Sequence, residues 1–83
     1  MKRIAVISAI LEDPAKAQGG FNSLVADFKG IVKGRMGIPM PEYGISVITI
    51  ALAGDPDEIN NLTGKLGLLP GVQVKTSFSK KEI

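Results

Sequence analysis

The sequence predicts a single α+β domain, a βαββαβ sandwich with two helices laid on one antiparallel sheet. Three observations predict it. The chain has 83 residues, 45% hydrophobic and 22% charged, the balance of one globular domain spanning 1–83. Its two halves repeat. IAVISAILEDP (4–14) aligns with ISVITIALAGDP (45–56), FNSLVADF (21–28) with INNLTGKL (59–66), and GIVK (30–33) with GVQVK (71–75). Within each half the apolar spacing passes from strand to helix and back, so each half reads strand–helix–strand.

The elements follow in order. Residues 4–11 are nearly continuous apolar, as a strand covered on both faces should be. Asp13-Pro14 then supplies an N-cap and a first-turn proline, whose missing N–H would be unpaired there anyway. Phe21, Leu24, Val25 and Phe28 share one helical face, while Gly19-Gly20 weakens that helix near its start, by about 1 kcal/mol per glycine relative to alanine. The second strand, 31–38, is punctuated by Lys33, Arg35 and two glycines and reads as an edge. The third, 45–53, is again continuous apolar. Asp55 and Glu58 have the spacing of a capping box, and Ile59, Leu62, Thr63 and Leu66 form the second helical face, stopped by Gly67 and Pro70. Residues 72–78 alternate, Val72, Val74, Thr76 and Phe78 against Gln73, Lys75 and Ser77, as an edge strand does. Central first and third strands with right-handed crossovers give the sheet order 4-1-3-2, the ferredoxin-like split βαβ arrangement.

Two helices can cover only one face of such a sheet. On the first strand Ile4, Val6 and Ile10 alternate with Ala5, Ile7, Ala9 and Leu11; on the third, Ile48, Ile50 and Leu52 alternate with Ile45, Val47 and Ala51. Whichever set meets the helices, the other leaves an apolar patch too continuous for a monomer. A domain this small also needs a staple, and with no cysteine a disulfide is excluded. A homo-oligomer, dimer or higher, is therefore expected, through the sheet face or a sheet edge.

Composition removes several function classes. Without cysteine or histidine, thiolate and imidazole metal sites and the usual near-neutral acid–base residue are absent, so no metal site and no cofactor are expected. Met36 and Met40 read as packing rather than soft ligands. Glu12, Asp13, Asp55, Asp57 and Glu58 stand at two helix starts, where capping and the helix dipole account for them. GKLG (64–67) lies within a helix and lacks the spaced glycines of a phosphate-binding loop. No nucleophile has a base to activate it, so no enzymatic activity is expected. The net charge is +2, and the only basic cluster, Lys75, Lys80 and Lys81, reads as a solvated strand end, which argues against nucleic-acid binding by this chain alone. MKRIAVISAIL begins like a signal peptide, but Glu12-Asp13-Pro14 interrupts it and its removal would delete a strand. No apolar run approaches 18 residues. A cytoplasmic protein without a membrane span is expected.

GRMGIPMPEYG (34–44) is the segment that an ordinary hairpin does not explain. Alternation points Arg35 away from Met36 and Ile38, and its flanking glycines leave space over the backbone. Two readings of Gly34-Arg35-Met36-Gly37 stand. Arg35 is an anion or carboxylate clamp, or a contact at a subunit boundary. Otherwise it is an edge-strand arginine paired with an acid, its glycines marking a bulge.

GRMGIP, GISVI, DEINNLTGKLG and PGVQVK together resemble the iron-only hydrogenase system regulator family, short proteins with an ACT-like, ferredoxin-like fold; the resemblance runs from Ile4 to about Lys80. It implies a regulatory module binding a small anionic effector or a partner protein, linked to [FeFe] hydrogenase maturation or to transcriptional regulation. The alternative is a structural or adaptor subunit that acts through oligomerisation without a small ligand. In ACT domains effectors often lie near the first strand–helix turn, here Leu11 to Pro14. By that resemblance Glu12 and Asp13 join Gly34, Arg35, Met36 and Gly37 as candidate ligand-binding or assembly residues, although EDPAKA matches the Asp-x-Pro-Gly turn common there only loosely. The fold is also similar to the C-terminal domain of nickel-responsive repressors, which binds metal and tetramerises. This chain has no histidine or cysteine with which to copy that nickel site, and no room for a separate DNA-binding segment is expected in it.

Overall fold

A computed structural model describes all residues, Met1–Ile83. The order is β1 (Arg3–Leu11), α1 (Pro14–Asp27), β2 (Val32–Met40), a 3-10 turn (Pro41–Tyr43), β3 (Ile45–Gly54), α2 (Pro56–Gly67) and β4 (Val72–Glu82). One antiparallel sheet runs β2-β3-β1-β4, which is the expected 4-1-3-2 read from the other side. No helix is long and apolar enough to cross a membrane.

The parity left open by the sequence is settled by burial. Ala5, Ile7, Ala9 and Leu11 of β1, with Ile48, Ile50 and Leu52 of β3, face the helices and are buried. They meet Ala17, Phe21 and Val25 of α1 and Ile59, Leu62 and Leu66 of α2 in one core. Each fully buried large side chain there contributes about 1.5–3 kcal/mol of transfer free energy. The opposite face keeps Ile4, Val6, Ile10, Met36 and Ile38 exposed.

The helix starts differ from one another. Asp55 caps α2 through its side chain, which accepts a hydrogen bond from the Asp57 N–H at 2.9 Å, but no return bond from Glu58 closes a capping box. Asp13 makes no side-chain cap. Its backbone carbonyl accepts from Lys16 and Ala17, while its carboxylate lies 3.9 Å from Lys16 Nζ. Nor do the two glycines interrupt α1, which runs unbroken from Pro14 to Asp27. A Cβ on Gly20 would stand 3.1 Å from Leu69 Cδ2, so the glycine lets the loop between α2 and β4 close on α1.

Strand ends differ from the expected limits, outward except at the start of β2. β4 continues four residues past Phe78, through an irregularity opposite β1 where Ser79 Oγ accepts the Ile4 N–H at 3.1 Å. β2 carries a bulge between Val32 and Gly34, beside the first of its two glycines: Val32 pairs with Leu52 and Gly34 with the next residue, Ala51. One extra residue reverses the alternation. Val32 and Arg35 therefore both face the helices, while Gly34 and Met36 face the open side.

Candidate functional site: an arginine-walled cleft under the first helix

β2 and β3 present small or backbone-like groups on the helix-facing side beyond Arg35. Gly37, Pro39 and Ser46 occupy positions where bulkier residues would fill the layer. A Cβ on Gly37 would meet nothing within 4 Å. The first turn of α1 above them is equally small, Pro14 and Ala15. The space left between these surfaces is a cleft of about 530 Å³. Asp13 and Gln18 bound it on the helix side, Arg35 forms part of its wall, and Met40, Pro41 and Gly44 line it from the hairpin.

Arg35 is held in a defined pose. Its Nη2 donates to Asn22 Oδ1 at 2.7 Å, and Cζ lies 5.6 Å from the centroid of the Phe21 ring. Stacking on an aromatic face and one bond to a neutral amide orient the guanidinium without neutralising it. No carboxylate lies within ion-pair distance; the one such pair in the structure is Lys16–Asp13. The edge-arginine reading required an acid partner, and Asn22 stands in that place. One of the five N–H donors of the group is spent on the protein.

The residues singled out in the sequence divide among three places. Asp13, Arg35 and Gly37 come together in the cleft. Gly34 and Met36 lie on the open face of the sheet. Glu12 is turned toward β4: its N–H donates to the Gly71 carbonyl at 2.8 Å and its carboxylate accepts from Gln73 Nε2. Asn22 and Gln18 are cleft-side residues that the sequence does not mark. Asn22 stands out only as a repeat position shared with Asn60, and nothing in the local pattern of Gln18 distinguishes it.

Each half ties its edge strand to its helix by a side-chain hydrogen bond, at positions that the repeat does not match. In the first, Arg35 of edge strand β2 bonds Asn22 of α1. In the second, Thr76 of edge strand β4 bonds Thr63 of α2, hydroxyl to hydroxyl at 2.7 Å. The second tie joins two short neutral side chains. The first employs a long charged one, beside a cavity.

Comparison with known proteins agrees with this architecture. The TM1266-like family, described as "Iron-only hydrogenase system regulator, putative", matches residues 3–76. The solved structure of TM1266 from Thermotoga maritima is 36% identical over 96% of this chain and 100% of its own, with a TM-score of 0.92. The C-terminal domain of the MgtC protein from Mycobacterium tuberculosis shares the fold, with a TM-score of 0.73 at 17% identity over 98% of this chain and 92% of that one. A formyltetrahydrofolate deformylase from Pseudomonas syringae pv. tomato contains the same fold in 28% of its length, covering 98% of this chain at 10% identity and a TM-score of 0.68. None of the curated proteins matches. With both a family match across most of its length and a near-superimposable relative, the chain belongs to the TM1266-like family.

Proposed function

We propose that this chain is a non-catalytic regulatory module of the cytoplasm, serving the iron-only hydrogenase system, that takes a small anionic effector in the cleft beside Arg35. The observation that carries the reading is the pose of that arginine: oriented by Phe21 and Asn22, unpaired with any acid, and set in the wall of a cavity. A guanidinium in this state offers a planar fork of donors to a carboxylate or similar oxyanion. Apart from Asp13, Gln18 and Ser46 the rest of the lining is apolar or glycine, suited to the body of a compact ligand. Family membership supplies the regulatory context.

Thermal unfolding against a panel of small carboxylates and phosphate esters tests this, using the parent chain, Arg35→Ala and Gly37→Leu. Arg35→Ala should cost about 1 kcal/mol of stability, the sum of an exposed stacking contact and a hydrogen bond. Gly37→Leu fills the cleft from a strand position with room for a side chain. A ligand at ten times its Kd stabilises by about 1.4 kcal/mol, a rise of several degrees in Tm for a domain of this size. Such a rise should occur in the parent chain and vanish in both variants, with Arg35→Lys recovering part of it. A panel in which no anion stabilises the parent beyond Arg35→Ala would overturn the reading in favour of a subunit acting without a small ligand.

A further inference from the structure

We propose that two copies of this chain pair face to face through the open side of the sheet, about a two-fold axis running along the strands. The strand registers give the face row by row. One row reads Ile38, Val47, Ile10, Gln73 from β2 across to β4; the next reads Met36, Thr49, Ser8, Lys75; a third reads Gly34, Ala51, Val6, Ser77. Four strands about 4.8 Å apart, with these three rows of side chains about 6.8 Å apart, make roughly 400 Å² in plan. Burying that area on each of two copies removes on the order of 800–1,200 Å² in total, the lower end of what a specific interface buries.

The chemistry of the face suits a copy of itself. In an isologous contact the same patch supplies both sides, so a central charge would meet its like. Here the centre holds two hydroxyls, Ser8 and Thr49, which can each donate and accept. The one charged residue in the three rows, Lys75, stands at the β4 margin.

Shape selects the axis. Met36, 59% exposed, projects at the β2 margin with Ile38 beside it. Along the opposite margin lies a hollow of about 210 Å³ lined by Ser8, Ile10, Gln73, Val74 and Lys75. A two-fold along the strands keeps the rows and exchanges the margins. It lays Met36 of one copy over the hollow of the other, beside the aliphatic stem of Lys75, and sets Thr49 against Ser8 and Val47 against Ile10. Aligned sheets packing about 10 Å apart meet in this way. The edges suit pairing less well: β2 is broken by its bulge, two glycines and Pro39, and β4 carries Lys75, Lys80 and Lys81. The cleft lies on the other side of the sheet, so this proposal stands apart from the ligand reading.

Sedimentation velocity at micromolar concentration, with circular dichroism to verify folding, tests the contact. The parent chain should sediment at twice its 8.7 kDa mass. Val6→Lys on the open face and Met36→Glu at the knob should each raise the dimer dissociation constant at least tenfold, while Arg35→Ala should leave it unchanged. For orientation, Met36→Cys and Lys75→Cys chains are mixed and treated with a short bis-maleimide; the native chain has no competing thiol. The mixture should cross-link several-fold faster than either variant alone. A parent chain sedimenting only at 8.7 kDa, or a dimer untouched by the folded face variants, overturns the proposal. Cross-linking of either variant with itself as fast as the mixture overturns the axis.

Discussion

Gly54 shows how much can rest on one missing carbon. It ends β3 under the loop after α1, where the Ala53 N–H donates to the Ile31 carbonyl at 2.9 Å. A Cβ on Gly54 would stand 2.9 Å from Ile31 Cγ2, inside contact distance, and Ile31 is itself buried. Gly54→Ala should therefore cost about 1–3 kcal/mol as overpacking. Gly19 is the opposite case: it is exposed in mid-helix with nothing near its missing Cβ, so Gly19→Ala should add about 0.5–1 kcal/mol. Urea unfolding of the two variants checks both signs. Neither outcome is legible in the sequence, where both residues are simply glycine at an element's end or middle; the difference lies in what another segment brings to each. Arg35 is intermediate. Its direction relative to Met36 could be read from alternation, but its partner could not, because Asn22 reaches it only after α1 has folded back across β2.

Element-scale reading succeeds where local chemistry decides and stops where a neighbour intervenes. The repeat and the apolar spacing specify two strand–helix–strand units and hence the sheet order, because continuous apolar strands belong in the centre. The limits of β2 and β4 depend on pairing, and a bulge is set by two strands at once, so neither could be read from one segment. Helix starts illustrate the same division. Both halves carry Asp-Pro, yet Asp55 caps and Asp13 does not. The backbone of Asp13 is at φ −136° and ψ 79°, while Asp55 has the extended φ −70° and ψ 133° of a usual N-cap. Asp55→Ala should thus cost about 1 kcal/mol, whereas Asp13→Ala, losing only an exposed contact to Lys16, should fall within about 0.5 kcal/mol. Chemical denaturation of both variants in parallel separates them. An equal loss would mean that the two aspartates cap alike in solution.

For the whole molecule, the sequence already foretold that one face of the sheet would lack a cover, because two helices cannot clothe both sides of strands apolar on both. Which face that would be followed only from the packing of Phe21 and Ile59. The cleft was less legible still. It arises from Gly37, Pro39 and Ser46 failing to fill a layer above which α1 begins, and such a void belongs to no single segment. The two polar ties between edge strands and helices carry a further consequence, for the rate at which parts of the molecule open. Strand β4 is closed by the Thr63–Thr76 bond and seats Val72, Val74 and Phe78 against the core. Strand β2 has no fully buried residue and is tied to its helix by a solvent-exposed guanidinium. Local opening is least costly where buried apolar contact is least. Amide hydrogens of β2 should accordingly exchange with deuterium sooner than those of β4, though both are edge strands of equal standing in the sheet. An anion seated beside Arg35 should slow exchange in β2 and the first turn of α1 and leave β4 as it was, so that occupancy of the cleft is written in the clock of one strand.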